Sequence, residues 1–253
     1  MTSSIKKIGG ISYTSIKKIG DITLVNTKNI NGITAGSPGP NGIDAYTQLM
    51  IHFNESDANF TDVMGNTLTN TGITYTASGK FSGGGSFSGS SYIHLPYNAA
   101  LNPITGDFAI DWWAKHTVLQ QYNTIIGQDD TGGLIVHLYD TGVLYLGVGG
   151  VGYQSQCSLN TSTINNGSFH HYALTRSSGV VYMFFDGVPQ TVTGSSNTTN
   201  YSFTNNGSKP ICVGSQNGLN AWGNATVDEL RVSIGVPRWT SDFSSSLPTE
   251  YYA

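Results

Sequence analysis

The side chains that could do acid–base or metal chemistry number fifteen carboxylates, six histidines and two cysteines over 253 residues. Their spacing excludes most catalytic arrangements. Glycoside hydrolysis needs two carboxylates about 5 to 9 Å apart, which one strand supplies through a Glu-x-Asp-x-Glu-like run. The glutamates are Glu55, Glu229 and Glu250, and none stands in such a run. Asp129 and Asp130 are neighbours and point apart. His170 and His171 are also adjacent, so on a strand they face opposite sides and cannot hold one ion together; they read as one packed and one exposed histidine. No Gly-x-Ser-x-Gly, His-Glu-x-x-His or Cys-x-x-Cys motif occurs. Cys157 and Cys212 cannot form a disulfide framework in a domain this size and read as small residues near strand ends, with a single bridge as the alternative. The inventory describes no enzyme.

Binding needs less. Sugar recognition sets an aromatic ring against the C–H face of the sugar and offers amides or carboxylates to its hydroxyls, groups that sandwich loops readily supply. The run from Ser215 to Asn224 contains Asn217, Asn220 and Trp222; a second loop offers Tyr153 and Gln154; Asp129 and Asp130 supply acceptors. Trp222 serves either as a sugar platform or as a loop anchor. Alternation along Thr226–Ile234 puts Asp228 on the face of Leu230 and Val232, pointing inward, with Glu229 and Arg231 outward as a solvated pair. A buried carboxylate must be hydrogen-bonded or hold a metal. Asp228 therefore takes neighbouring turn amides or, with Asp62 of the Asp62-Val-Met-Gly65 turn, a structural Ca²⁺; no contiguous EF-hand-type loop exists, and no other cofactor is expected.

The elements that position these residues are strands. Only 10% of residues are charged, 11% are aromatic and 32 are glycine, a composition poor in helix formers and rich in turns. Asp107–Lys115 alternates, with Phe108, Ile110, Trp112 and Ala114 on one face and Trp113 on the other, where it packs under a loop. Leu134–Tyr139 turns at Asp140–Gly142 into Val143–Val148. His170–Arg176 turns at Ser177–Gly179 into Val180–Phe185, and Asp186-Gly187 leads to Val188–Val192. Further strands are read at Gln48–Phe53 and Thr226–Ile234. Repeated hairpin signals without helical periodicity specify an all-β sandwich.

Ahead of it lies a different segment. Ser4-Ile-Lys-Lys-Ile-Gly9 recurs as Ser15-Ile-Lys-Lys-Ile-Gly20, a period of eleven. Two copies are too few for a solenoid, so residues 1–35 read as an extended arm. Residues 36–45 carry three Gly-x-y triplets, a Pro/Gly linker or a three-chain junction, and the sandwich occupies 46–253. Residues 1–44 hold five Lys against two Asp, a formal +3, whereas the rest holds six Lys/Arg against thirteen Asp/Glu. An acidic head does not suit nucleic acid. No signal-peptide pattern and no run of about 20 apolar residues appear, so synthesis in a cytosol without membrane insertion is expected, with export by lysis or assembly.

From Leu49 to Phe243 the sequence resembles the laminin-G-like, concanavalin A-like jelly-roll family. Four stretches carry the likeness: Asp107–Lys115; Phe169–Arg176 with Val180–Gly187; Ile211-Cys-Val-Gly214; and Asp228–Ser233 with Arg238–Phe243. Phe169 stands where the family usually has Trp. The resemblance implies an antiparallel two-sheet jelly roll. It is nearest to copies in bacteriophage structural proteins, where the domain follows Ile-Lys-Lys-Ile-Gly-type segments. This implies a virion surface protein made in the host cytoplasm and held to other virion proteins through Ile5, Lys6, Lys7, Ile8, Ile16, Lys17, Lys18 and Ile19. Its head would face a host glycan or protein, as a homotrimer by analogy with fibres; the alternative is a capsid or tail decoration protein with no specific ligand.

Overall fold

Runs that alternate apolar and polar residues have one face to bury, and two sheets of them bury each other's. The computed structural model describes residues 7–8, 11–12, 42–128, 132–194, 202–203, 210–216 and 225–252. The chain divides into two compact units, Met1–Gly39 and Pro40–Ala253. In the first, β1 (Lys7–Ile8) pairs antiparallel with β2 (Ile11–Ser12), Ile8 opposite Ile11. Ile5, Lys6, Ile16, Lys17, Lys18 and Ile19 lie outside the described residues.

The second unit begins with β3 (Thr47–Ile51), β4 (Thr69–Thr71), β5 (Thr74–Thr76), β6 (Gly84–Phe87) and β7 (Tyr92–Leu95). Then come β8 (Phe108–His116), β9 (Tyr122–Gly127), β10 (Leu134–Tyr139), β11 (Val143–Val148) and β12 (Gly152–Ser158). The series closes with β13 (Phe169–Ser177), β14 (Val180–Phe185), β15 (Val188–Pro189), β16 (Ile211–Val213) and β17 (Ala225–Ile234). One sheet has seven strands in the order β12-β11-β10-β9-β16-β7-β4. The other, of eight, runs β15-β14-β13-β8-β17-β6-β5, with β3 beside the second half of β17. All pairings are antiparallel. Phe108, Ile110, Trp112 and Ala114 of β8 meet Val136, Leu138, Leu144 and Leu146 of β10 and β11 in one core. Between β12 and β13 lies one short helix, α1 (Thr161–Ile164), whose first amides are capped by Asn160. No described helix is long and apolar enough to cross a membrane.

The eight-stranded sheet departs from simple alternation at β17. Its register against β8 shifts between Asp228 and Arg231, and Glu229 has a φ of +53°. This is a bulge, which puts two successive residues on one side. Asp228 therefore stands opposite Trp113 and Arg231 opposite Asp111 on the outer face, while Val227, Leu230 and Val232 face the core. The bulge corrects the expected inward Asp228, which lies on the outer face under the Lys80–Phe81 backbone; Glu229 and Arg231 face outward as expected but are buried rather than solvated, beneath the segment after β17.

That segment seals an ionic centre. Arg231 donates through Nε and Nη2 to Oδ1 and Oδ2 of Asp111 at 2.9 and 3.1 Å, and through Nη1 to the Gly42 carbonyl at 2.9 Å. Tyr252 donates its hydroxyl to Asp111 Oδ2 at 2.6 Å, lies 4.0 Å from the guanidinium, and gives its amide to Glu229 Oε2 at 2.9 Å. The other Glu229 oxygen meets His52 Nδ1 at 2.8 Å. Trp239 stacks on Phe243 over His171, so His171 is fully buried rather than exposed. Its neighbour His170 points the other way and is also buried, bonded to Asp186 at 2.7 Å. Arg238 spans Ser233, Asp44 and Thr47, which ties residues 42–47 into the head. Trp113 packs under the loop before β6, against Phe81 and Lys80.

Burial alone would raise the Asp111 carboxyl; the Arg231 charge and the His171 hydrogen bond hold it well below the usual carboxylate range. Because the folded value is the lower one, its contribution to stability is full above the unfolded pKa and lost as pH falls through the folded one. Asp111→Ala should cost about 3–5 kcal/mol in urea unfolding, since it strands a buried guanidinium, and replacing Asp111 and Arg231 together by Leu and Met should recover most of that loss. A single-substitution cost below about 1 kcal/mol would show that the pair does not support the fold.

Candidate functional site

The outer face of the seven-stranded sheet differs in kind. On β10 the core takes Val136 and Leu138, so Ile135, His137 and Tyr139 point outward; on β11 the core takes Leu144 and Leu146, and Tyr145 points outward. Register brings Tyr122 opposite Tyr139, Thr124 opposite His137, and Gln156 opposite Tyr145. A bulge in the β11–β12 pairing after Leu146 then sets Tyr153 across from Gly147. A Cβ on Gly147 would stand 3.3 Å from the Tyr153 ring, so glycine leaves the seat on which that ring lies.

The result is a continuous aromatic cluster. Ring centroids are 4.9 Å apart for Tyr122–Tyr139, 4.8 Å for Tyr139–Tyr145 and 4.4 Å for Tyr145–Tyr153. His137 lies 5.9 Å from Tyr153. The Tyr139 and Tyr153 hydroxyls hydrogen-bond to each other. Burial, then this bond, holds the Tyr139 phenol above the usual range and so protonated. Burial lowers the His137 ring to about 4, so it is neutral near pH 7, meeting Thr124 Oγ1 at 2.9 Å and Gln216 Oε1 at 3.2 Å. Tyr153 is 43% exposed, whereas Tyr122, Tyr139 and Tyr145 are half-buried. Phenol rings in a mainly edge-to-face array present apolar ring surface beside hydroxyls that donate and accept.

Of the loop residues expected to bind, Tyr153 belongs to this cluster. Gln154, next to it, is half-buried and donates Nε2 to the Gly152 carbonyl at 3.1 Å. Trp222, Asn220, Asn217, Asp129 and Asp130 lie outside the described residues; in sequence the first three follow Gln216, which touches His137. Sequence reasoning missed Tyr122, Tyr139, Tyr145 and His137. The available signal was that tyrosine and histidine fill the positions alternating with core aliphatics on β10 and β11.

The two carboxylates considered for Ca²⁺ are held by separate backbone segments. Asp62 accepts from the amides of Met50 (2.7 Å) and Asn66 (2.9 Å) and from Asn66 Nδ2 (2.6 Å). Asp228 Oδ2 accepts from the Lys80 and Phe81 amides at 2.7 and 3.1 Å. N–H groups thus occupy both oxygens of Asp62 and Oδ2 of Asp228, whose Oδ1 is buried without a hydrogen-bond partner. No group of three or more His, Cys, Asp or Glu able to hold a metal occurs among the described residues. Cys157 and Cys212 are both buried.

A family model described as the concanavalin A-like lectin/glucanases superfamily matches residues 87–236, more than half of the chain. The chain belongs to this superfamily. No curated protein sequence matches it. Solved structures share the fold at low identity. The binding domain of Paraclostridial Mosquitocidal Protein 1 aligns with a TM-score of 0.58 and 17% identity, over 76% of this chain and 50% of that one. The binding domain of Botulinum Neurotoxin DC, in complex with SialylT, aligns at 0.56 and 13%, over 77% and 49%. Domain 4 of AbnA, an extracellular arabinanase from Geobacillus stearothermophilus, in complex with arabinotriose, aligns at 0.54 and 18%, over 76% and 93%. The chain thus spans about half the length of the matched toxin structures.

Asp228 gives a prediction. Burial, then the Glu229 charge, pushes its carboxyl up to about 7. With the folded value above the unfolded one, the residue is unpenalised at pH 4 and opposes folding increasingly as pH rises through 7. Asp228→Asn should therefore gain about 4 kcal/mol relative to wild type between pH 4 and pH 8 in urea unfolding; a pH-independent difference would contradict the raised value.

Proposed function

We propose that this chain is a glycan-binding protein, not an enzyme, and that its sugar site is the outer face of the seven-stranded sheet around Tyr153. The observation that carries the reading is the exposed Tyr153 ring, seated over Gly147 and hydrogen-bonded into a four-tyrosine cluster. An aromatic plane with adjacent hydroxyls and amides suits a sugar's C–H face and hydroxyl edge together. The superfamily match supports a lectin-like role, as do neighbours of the same fold solved with arabinotriose and SialylT. The loop after Gln216, with Asn217, Asn220 and Trp222, extends this site in our reading, and Asp129 and Asp130 add acceptors from the β9–β10 connection.

The proposed setting is the surface of a phage virion, where the head meets a host glycan. Residues 1–35 fasten it to other virion proteins, and the Gly-x-y triplets of 36–45 join three copies. The support for this setting is the paired Ile-Lys-Lys-Ile-Gly segments and their basic charge against an acidic head.

The test is a glycan-array screen of the full 253-residue chain, followed by titration of the best ligand. Tyr153→Ala should weaken binding at least about ten-fold, or about 1.4 kcal/mol, as expected for an aromatic anchor. Its thermal unfolding midpoint should stay at the wild-type value, because the ring is substantially exposed. Saturable binding that Tyr153→Ala leaves intact would move the site elsewhere; no binding to any glycan would leave a decoration protein.

A further inference from the structure

The two sheets divide the strand charges unequally. β4, β7, β9, β10, β11, β12 and β16, the whole seven-stranded sheet, contain no Asp, Glu, Lys or Arg. Asp111, Lys115, Arg176, Asp228, Glu229 and Arg231 all belong to strands of the other sheet. From this segregation we infer that the ligand of the tyrosine face is a neutral oligosaccharide, and that glycans bearing sialic or uronic acid are excluded from it. The inference rests on the glycan-binding reading above and names the class of sugar.

The argument is one of solvation and complementarity. A sugar carboxylate brought onto this face must shed water, and that costs several kcal/mol unless a cation or convergent N–H donors replace it. The strands offer it phenol hydroxyls and Gln156, and the His137 imidazole buried beneath them is neutral near pH 7 and already bonded to Thr124 and Gln216. The rim adds repulsion. Asp140 is exposed at the β10–β11 turn beside Tyr139. The neighbouring cations are engaged on the opposite sheet, with Lys80 over Trp113 and Lys115 over Phe169. A neutral sugar meets none of these costs. Its C–H face covers the rings, and its hydroxyls exchange water for phenol and amide partners of equal polarity.

Matched pairs test this: galactan against galacturonan oligosaccharides of equal length, and lactose against sialyllactose, titrated into the full chain. In at least one pair the neutral member should bind at least about ten-fold more tightly. Its affinity should change by less than about two-fold between about 0.01 and 1 M salt, over which range screening removes long-range charge effects. Tyr153→Ala should abolish the preference. Tighter binding of the acidic member, or affinity that falls steeply with salt, overturns the inference while leaving a glycan-binding protein. Binding to neither member of either pair, nor to any other neutral or acidic glycan on an array, overturns the glycan-binding reading itself.

Discussion

A guanidinium and a carboxylate, both without contact with water, sit at the middle of the eight-stranded sheet. Arg231 and Asp111 come from β17 and β8, the two long strands around which that sheet is assembled. Desolvating two charges is costly, and their attraction compensates only when the geometry is good and every remaining donor and acceptor is used. Here the Gly42 carbonyl, the Tyr252 hydroxyl and the His171 ring complete the set. The pair can exist only because the bulge at Glu229 rotates β17 by one position and a cap of Trp239, Phe243 and Tyr252 excludes solvent. Sheet register, bulge and cap thus stand or fall together, and the seven-stranded sheet rests on the core they define.

This dependence explains what the sequence made legible. Several of the motifs that resembled a known family are, physically, buried polar anchors of the eight-stranded sheet, and some of them build this sealed centre. The His-His strand and the Asp-Gly turn meet as His170–Asp186 and as the His171 amide on Asp186. Arg176 is buried against the carbonyls of Ile104 and Gly106, closing the loop before β8. The Asp-Glu-Leu-Arg run supplies the bulge and the ion pair, and the Arg-Trp-Thr-Ser-Asp-Phe run supplies the cap. Such residues are recognisable because their chemistry is fixed by burial, so their order along the chain identified the sandwich. Strands with both ends set by turns, such as Leu134–Tyr139 and Val180–Phe185, were readable to the residue.

The bulge itself was not legible. Period-two reasoning assumes an unbroken strand, and one extra residue at Glu229 reverses the side that alternation back from Leu230 and Val232 assigns to the residues before it. That single departure misplaced Asp228, whereas Arg231 stands on the outer face as expected and is buried there by the cap of Trp239 and Tyr252. The proposed binding surface was partly legible for a different reason. Nothing about an outward tyrosine on a strand distinguishes it from an ordinary surface residue until the register sets four of them side by side. Tyr153 was identifiable because glycines flank it; Tyr122, Tyr139 and Tyr145 became meaningful only through pairing across three strand boundaries. The proposed function resides on the face that the fold leaves free.

The placement of β17 has a consequence for how the head is made. It is the last long strand in the chain, yet it lies between β8 on one side and β6 and β3 on the other. Until residues 225–234 leave the ribosome, β3, β6 and β8 have open hydrogen-bonding edges and a divided hydrophobic surface, the form in which nascent chains pair with one another. The final insertion has to occur between strands already synthesised, over contacts distant in sequence, which is intrinsically slow. Sequence order thus makes the head vulnerable to intermolecular pairing during translation, and sets chaperone occupancy and temperature as the controls on yield.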